Sequence, residues 1–126
     1  MWKPEIDDLE RRKGLAYRMG TEKNVAKQHK SGRMIVRERI ETFVDKDTFL
    51  ERGILTGVSV YDKKEKDKLL SITPCPFAMG IGRVDDRAVA IHGDDFTIKG
   101  ASVGRMYKSK GTYFIKMART FKLPMI

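Results

Sequence analysis

The sequence predicts an α/β fold, and three features predict it. Two apolar runs, Phe77-Ala78-Met79-Gly80-Ile81-Gly82-Arg83-Val84 and Ala88-Val89-Ala90-Ile91-His92, flank the break Asp85-Asp86-Arg87 and read as a β-hairpin. A glycine-containing loop at 100–104 then opens a long amphipathic helix, and Leu123-Pro124-Met125-Ile126 begins a further strand. Strand, strand, glycine loop, helix and strand start is an α/β order in which the last strand is cut short.

The 126 residues, 40% hydrophobic and 34% charged, fit one ordinary domain or a part of a larger one, with a modest core. Twenty-six basic against 17 acidic side chains give a net charge of +9, which favours acidic partners such as phosphates, nucleic acid or membrane surfaces. The excess is uneven: residues 1–44 hold 11 basic and 7 acidic groups, 45–98 hold 8 and 10, and 99–126 hold 7 and none. Cys75 has no partner for an internal disulfide, and no apolar leader precedes Trp2-Lys3-Pro4. No apolar stretch approaches the roughly 20 residues of a membrane span. The chain therefore reads as soluble, non-secreted and cytoplasmic, or located in the mitochondrial matrix if eukaryotic.

Residues 1–58 read as a helical segment. From Pro4 to Met19, proline stands in the first turn, Glu5, Asp7 and Asp8 crowd the start, and Arg11, Arg12, Lys13 and Arg18 follow, an order that complements the helix dipole. Ile6, Leu9, Ala16 and Met19 form too thin a stripe for a deep core, which puts this helix on a surface or against a partner, and Gly20 ends it. Thr21 caps a second short helix through Val25, Ala26 and His29, closed by Ser31-Gly32. A third, Arg37 to Val44, gathers Ile40, Phe43 and Val44 on one side. His29, alone among Lys27, Gln28 and Lys30, reads as a solvated helix-end histidine rather than a base or ligand.

Residues 59–76 carry the mixed-charge run Asp62-Lys63-Lys64-Glu65-Lys66-Asp67-Lys68 and then Pro74-Cys75-Pro76, and read as an exposed loop. Cys75 has no adjacent histidine or cationic cluster to activate it. In the hairpin, Gly80 and Gly82 clear one face of the first strand for a close backbone or ligand. In the helix that follows, Val103, Met106, Tyr107, Phe114, Met117, Ala118 and Phe121 make the apolar stripe, with Lys108, Lys116, Arg119 and Lys122 outside it.

Little of this is chemistry. Free amides where the 100–104 loop opens its helix suit an anion or oxyanion, and Lys99 adds charge, but the loop matches neither a phosphate-binding nor a dinucleotide fingerprint. Asp94 and Asp95 point to opposite faces of an extended segment and read as turn-forming or helix-capping acids. No metal-ligand spacing and no nucleophile elbow occurs, so no metal site and no catalytic residue is assigned.

The runs from Trp2-Lys3-Pro4-Glu5 to Arg11-Arg12, Gln28-His29-Lys30-Ser31-Gly32-Arg33 to Ile40, Gly80-Ile81-Gly82-Arg83-Val84-Asp85, and Gly93-Asp94-Asp95-Phe96-Thr97-Ile98-Lys99-Gly100 stand in one order. Together with the Leu123-Pro124 turn they resemble the N-terminal portion of biotin-dependent acyl-CoA carboxylase carboxyltransferase subunits, of the propionyl-CoA carboxylase beta-chain type. Only 59–76 finds no counterpart. The resemblance implies a partial crotonase-like domain, with 77–126 its first βα part. It implies transfer of carboxyl from carboxybiotin, on a biotin carboxylase and biotin carrier partner, to the α carbon of a short-chain acyl-CoA, in a homo-oligomer. The loop of Phe96, Thr97, Lys99, Gly100, Ala101 and Ser102 becomes part of the acyl-CoA wall, with Lys99 and the helix start at Val103-Gly104 attracting the phosphates. No cofactor is bound directly.

Two positions depart from the family pattern: Ala101 follows Gly100 where a glycine pair is usual, and Asp86 stands in the hairpin turn where glycine is usual. Family subunits also run to roughly four times this length with two crotonase-like domains. The resemblance thus implies an N-terminal piece, inactive alone, whose oxyanion-forming glycine pairs lie beyond these residues. The competing reading is a small basic module that offers its C-terminal helix to nucleic acid or to a partner subunit. Tyr107 and Phe114 on the apolar stripe leave no aromatic placed for base stacking and count against nucleic acid.

Overall fold

A computed structural model of the chain describes residues 1–102 and 107–126. Three helices come first: α1 (Lys3–Tyr17), α2 (Glu22–Lys30) and α3 (Val36–Phe43). A short strand β1 (Leu50–Glu51) follows, then the pairs β2 (Gly57–Tyr61) with β3 (Leu69–Pro74) and β4 (Phe77–Val84) with β5 (Arg87–Asp94). A single 3₁₀ turn (Lys99–Ala101) and the helix α4 (Lys108–Thr120) complete the chain.

The centre is an antiparallel sheet in the order β1-β4-β5. Its two faces are filled separately, because side chains alternate along a strand. Ala78, Val89 and Ile91 meet Val36, Ile40 and Val44 of the α3 region together with Met19 and Ile98. Phe77, Met79 and Ala90 on the opposite face meet Tyr107, Phe114, Met117 and Ala118 of the α4 region. Helix, sheet and helix form three layers. The chain end extends the sheet: Ala90 donates to the Pro124 carbonyl and accepts from Ile126, both at 2.9 Å, in a parallel bridge with Met125. The strand beginning read at 123–126 is therefore present, reached from β5 across α4.

The expected hairpin is β4–β5, with Val84 paired to Arg87 across Asp85-Asp86. Both turn residues have positive φ, 48° and 63°, as a two-residue hairpin loop demands, and the Asp45 carboxylate accepts from both of their amides at 3.2 and 2.8 Å. The bare face of β4 serves the fold: a Cβ on Gly80 would lie 2.3 Å from the Leu50 carbonyl oxygen, and one on Gly82 2.9 Å from Val44. Glycine here lets β1 pair and α3 seat.

Several readings need correction. Residues 59–76 are not one exposed loop: β2 and β3 pair antiparallel from Gly57↔Pro74 to Tyr61↔Leu69, and Leu69, Pro74, Cys75 and Pro76 are buried. Valine, tyrosine, isoleucine and threonine outside the charge run supply the strands. The run itself is the connection, folded by Asp62, whose Oδ1 accepts from the amides of Lys64 and Glu65 at 2.7 and 2.9 Å. Those amides hold the Asp62 carboxyl below its usual value. Residues 1–58 likewise are not wholly helical, since β1 and the start of β2 fall within them. The left-handed residue closing α1 is Met19, at φ 61°, not Gly20. In α4, Phe121 is 62% exposed because the helix ends at Thr120 and Lys122 turns to φ 52°. Val103 and Met106 of the expected stripe lie outside the described residues.

Of the thin stripe, Ala16 in α1 and Met19 just past its end are buried, and Ile6 and Leu9 are exposed. The helix is fixed instead by polar reach, Arg11 to the Leu69 carbonyl at 3.4 Å and Arg12 to the Tyr61 hydroxyl at 3.1 Å. No helix among the described residues is long and apolar enough to cross a membrane.

Candidate functional site

The site is built around the segment that leaves β5. Asp95, 1% exposed, accepts from the Val36 amide at 2.8 Å on one carboxylate oxygen. On the other it accepts from the amide of Thr97 at 2.8 Å and from the Thr97 hydroxyl. It thus caps α3 from a distant segment, where a negative charge suits the positive end of the helix dipole. Thr97 Oγ1 in turn accepts from the Gly20 amide at 3.1 Å, and the Thr97 carbonyl accepts from Asn24 Nδ2 at 3.0 Å. A Cβ on Gly20 would stand 2.4 Å from that carbonyl, which is why glycine occupies the α1–α2 corner. This network pins residues 95–97 against the start of α2.

The result is a groove of about 450 Å³ between α2 and the 96–100 segment. Asn24, Lys27, Gln28 and Ser31 stand at i, i+3, i+4 and i+7, one face of a helix, and line one wall. Phe96, Thr97, Lys99 and Gly100 line the other, with Arg33 at the edge. Three cations border it, no carboxylate does, and Lys27, Arg33 and Lys99 make no ion pair among the described residues. Phe96 is 66% exposed, an open ring face beside the charges. An anion carrying a flat or apolar group matches that wall.

Of the six residues read as an acyl-CoA wall, four reach the groove. Phe96, Lys99 and Gly100 offer surface, and Thr97 is 4% exposed with its side chain already committed. Ala101 and Ser102 stand off the lining: Ala101 takes φ 62° in the 3₁₀ turn, and the Ser102 amide donates to the Lys99 carbonyl at 3.2 Å. The anion site expected at Val103-Gly104 lies outside the described residues. Lys27 of α2 and Arg33 beyond its end were missed as part of a site; the polar helix face of Asn24, Lys27, Gln28 and Ser31, followed by a further cation, was the available signal.

The other reactive side chains are engaged structurally. His29 is not alone: its Nε2 lies 3.0 and 2.9 Å from the two oxygens of Glu38, which also accepts from the Ile35 amide. His29 above all, then that amide, lowers the Glu38 carboxyl below its usual value. Cys75 is 1% exposed and burial pushes its thiol up, with Lys110 acting the other way. Lys110, 6% exposed on α4, donates to the Phe77 carbonyl at 2.9 Å, and burial lowers its pKa. Asp94 stays exposed and Asp95 caps, as their adjacency predicts. Among the described residues no group of three or more metal-ligating side chains gathers.

A family model described as the carboxyl transferase domain matches residues 27–126. The chain is similar to the propionyl-CoA carboxylase carboxyltransferase subunit of Haloferax mediterranei, 34% identical over 125 residues that make up 96% of this chain and 23% of that one. It is also similar to the alpha subunit of methylmalonyl-CoA decarboxylase of Propionigenium modestum, 31% identical over 97% of this chain and 23% of the relative. The propionyl-CoA carboxylase beta chain of Saccharopolyspora erythraea is 30% identical over 97% of this chain and 22% of its own length. The chain thus spans between a fifth and a quarter of these relatives. Among solved structures, the transcarboxylase 12S hexamer core with methylmalonyl-coenzyme A and methylmalonic acid bound superposes with a TM-score of 0.80 at 24% identity, over 99% of this chain and 24% of that one. At that identity the likeness establishes the fold alone, three layers of a partial crotonase-like domain.

Proposed function

The chain belongs to the carboxyl transferase domain family, and from that premise we propose that it holds a short-chain acyl-CoA ester during carboxyl transfer. The observation that carries this is the acid-free groove, where Lys27, Arg33 and Lys99 surround one space beside the exposed ring of Phe96. Coenzyme A is an anionic nucleotide on a long arm. Cations close to its phosphates form charge-assisted hydrogen bonds, stronger than neutral ones, and a ring face takes a heterocycle. Gly100, at φ 60°, lets the backbone turn beside the groove where no side chain obstructs it.

Carboxybiotin, brought by a carrier partner, would supply the carboxyl group, and the acyl α carbon would take it in exchange for a proton that ends on the biotin ring nitrogen. Within this division of labour the present residues bind and orient the ester, with Phe96, Lys99 and Gly100 toward the ligand and Ala101 and Ser102 shaping the turn behind them. The assembled enzyme is a homo-oligomer that meets a biotin carboxylase and its carrier.

The test is a calorimetric titration of the chain with coenzyme A and, at matched ionic strength, with a single-stranded oligonucleotide. Saturable 1:1 binding of coenzyme A that outcompetes the oligonucleotide is the expected result. Tighter binding of the oligonucleotide, weakening steeply with salt, would replace this reading with that of a basic binding module.

A further inference from the structure

The first turn of α2 departs from the usual helix start at one position. Thr21 caps it, its Oγ1 accepting from the Asn24 amide at 3.3 Å. Three residues after such a cap a glutamate or glutamine commonly reaches back to the cap's own amide. Here the residue is asparagine, a weaker helix former, and its side chain turns to another segment: Nδ2 donates to the Thr97 carbonyl at 3.0 Å. Among the described residues this is the one hydrogen bond between α2 and the 96–100 wall of the groove. The other bonds of Thr97 run to Asp95 and to Gly20 at the α1–α2 corner.

The segment after Thr97 needs holding. Lys99, Gly100 and Ala101 take φ 45°, 60° and 62° in succession, a left-handed turn that costs an L residue and not glycine. Such backbone persists where its surroundings over-determine it. Lys99 begins that turn two residues after the tethered carbonyl, so the tether bears directly on where its ammonium can reach.

Taken with the acyl-CoA reading, on which this inference rests, we propose that Asn24 is a positioning residue for ligand binding. Its amide ties the wall that carries Lys99 to the α2 face that carries Lys27, and so sets the spacing at which both cations meet one phosphate-bearing ligand. The chemistry calls for an amide. The Thr97 carbonyl can only accept, so the side chain facing it must donate, and it must bring no negative charge into a groove lined by no carboxylate. Asparagine meets both conditions, and aspartate, of the same shape, meets neither.

The experiment is a double-mutant cycle in calorimetric titration of the full chain with coenzyme A, using Asn24→Ala, Lys99→Met and the two combined. Asn24→Ala is expected to weaken binding about fivefold when Lys99 is present, the net worth of one hydrogen bond. Where Lys99 is already methionine the loss should shrink to under about twofold, since a wall without its cation has no charge left to position. A general loss of folded protein would lower binding by one factor in both backgrounds, and thermal melts of all four proteins verify folding. Asn24→Asp keeps the shape and loses the donor, so it should weaken binding at least as much as Asn24→Ala. Equal losses in the two backgrounds, or wild-type affinity in Asn24→Asp, overturn the positioning role. No binding of coenzyme A by the wild-type chain instead overturns the acyl-CoA reading itself.

Discussion

Arg37 and Glu51 form a two-bond ion pair inside the fold, with Nε 2.9 Å from one carboxylate oxygen and Nη2 2.8 Å from the other. Arg37 is 4% exposed, and its remaining reach is spent on the Tyr17 carbonyl at 2.8 Å and the Tyr17 ring at 4.5 Å. One guanidinium thereby ties α3 to β1 and to the end of α1. Removing a single partner leaves a buried charge, so Glu51→Ala should cost about 3–5 kcal/mol in urea unfolding. The double variant Arg37→Met with Glu51→Leu should recover most of that loss.

Asp95→Ala removes the cap of α3 and the anchor of Thr97 together. A cost of about 2–4 kcal/mol is expected, since three hydrogen bonds to a buried carboxylate disappear and the Val36 amide is left unpaired. Coenzyme A binding should weaken as well, because the 96–100 wall loses its tether. Unfolding midpoints and titration of the same sample check both.

Asp86→Gly should stabilise the hairpin by about 0.5–1 kcal/mol. The turn holds Asp86 at φ 63°, a conformation that costs an L residue and not glycine. The ion pair lost, Arg83 with an Asp86 side chain that is 93% exposed, contributes little. Urea midpoints of the two proteins give the sign.

His92 sits between the rings of Phe77 and Phe114, at 4.6 and 5.6 Å. Burial lowers its pKa from the ordinary 6.5, with Asp94 opposing and Lys110 adding to the shift. The neutral ring is the folded form, so its contribution is complete above about pH 6.5 and is lost as pH falls through that value toward the lowered folded one. Stability of the wild type should therefore drop between pH 7.5 and pH 5.5 more than that of His92→Phe, measured by urea titration across that range.

The central layers were legible because their signals are periodic. Alternation along 77–92 and the spacing of Phe114, Met117 and Ala118 report burial directly, and both packed as read. The hairpin β2–β3 was hidden, since its seven-residue charged connection dominated the composition around five- and six-residue strands. Lys110, a residue type seldom buried, carried no signal in the sequence and is 6% exposed, because its ammonium finds the Phe77 carbonyl, a partner set by tertiary contact alone. The site was half legible for the same reason. The 96–100 segment carries its own glycine and lysine, whereas Lys27 and Arg33 join it only through the Gly20–Thr97–Asn24 network, which joins residues more than seventy positions apart.

The most direct measurement compares Lys99→Met with Lys116→Met in calorimetric titration with coenzyme A at roughly physiological salt, where the screening length is about 8 Å. Lys99 lines the groove, and Lys116 is exposed on α4, outside its lining. Loss of a charge-assisted hydrogen bond at Lys99 should weaken binding about tenfold, with Lys116→Met close to wild type. Equal losses in the two variants would contradict the account, because the attraction would then come from the +9 net charge and not from the groove.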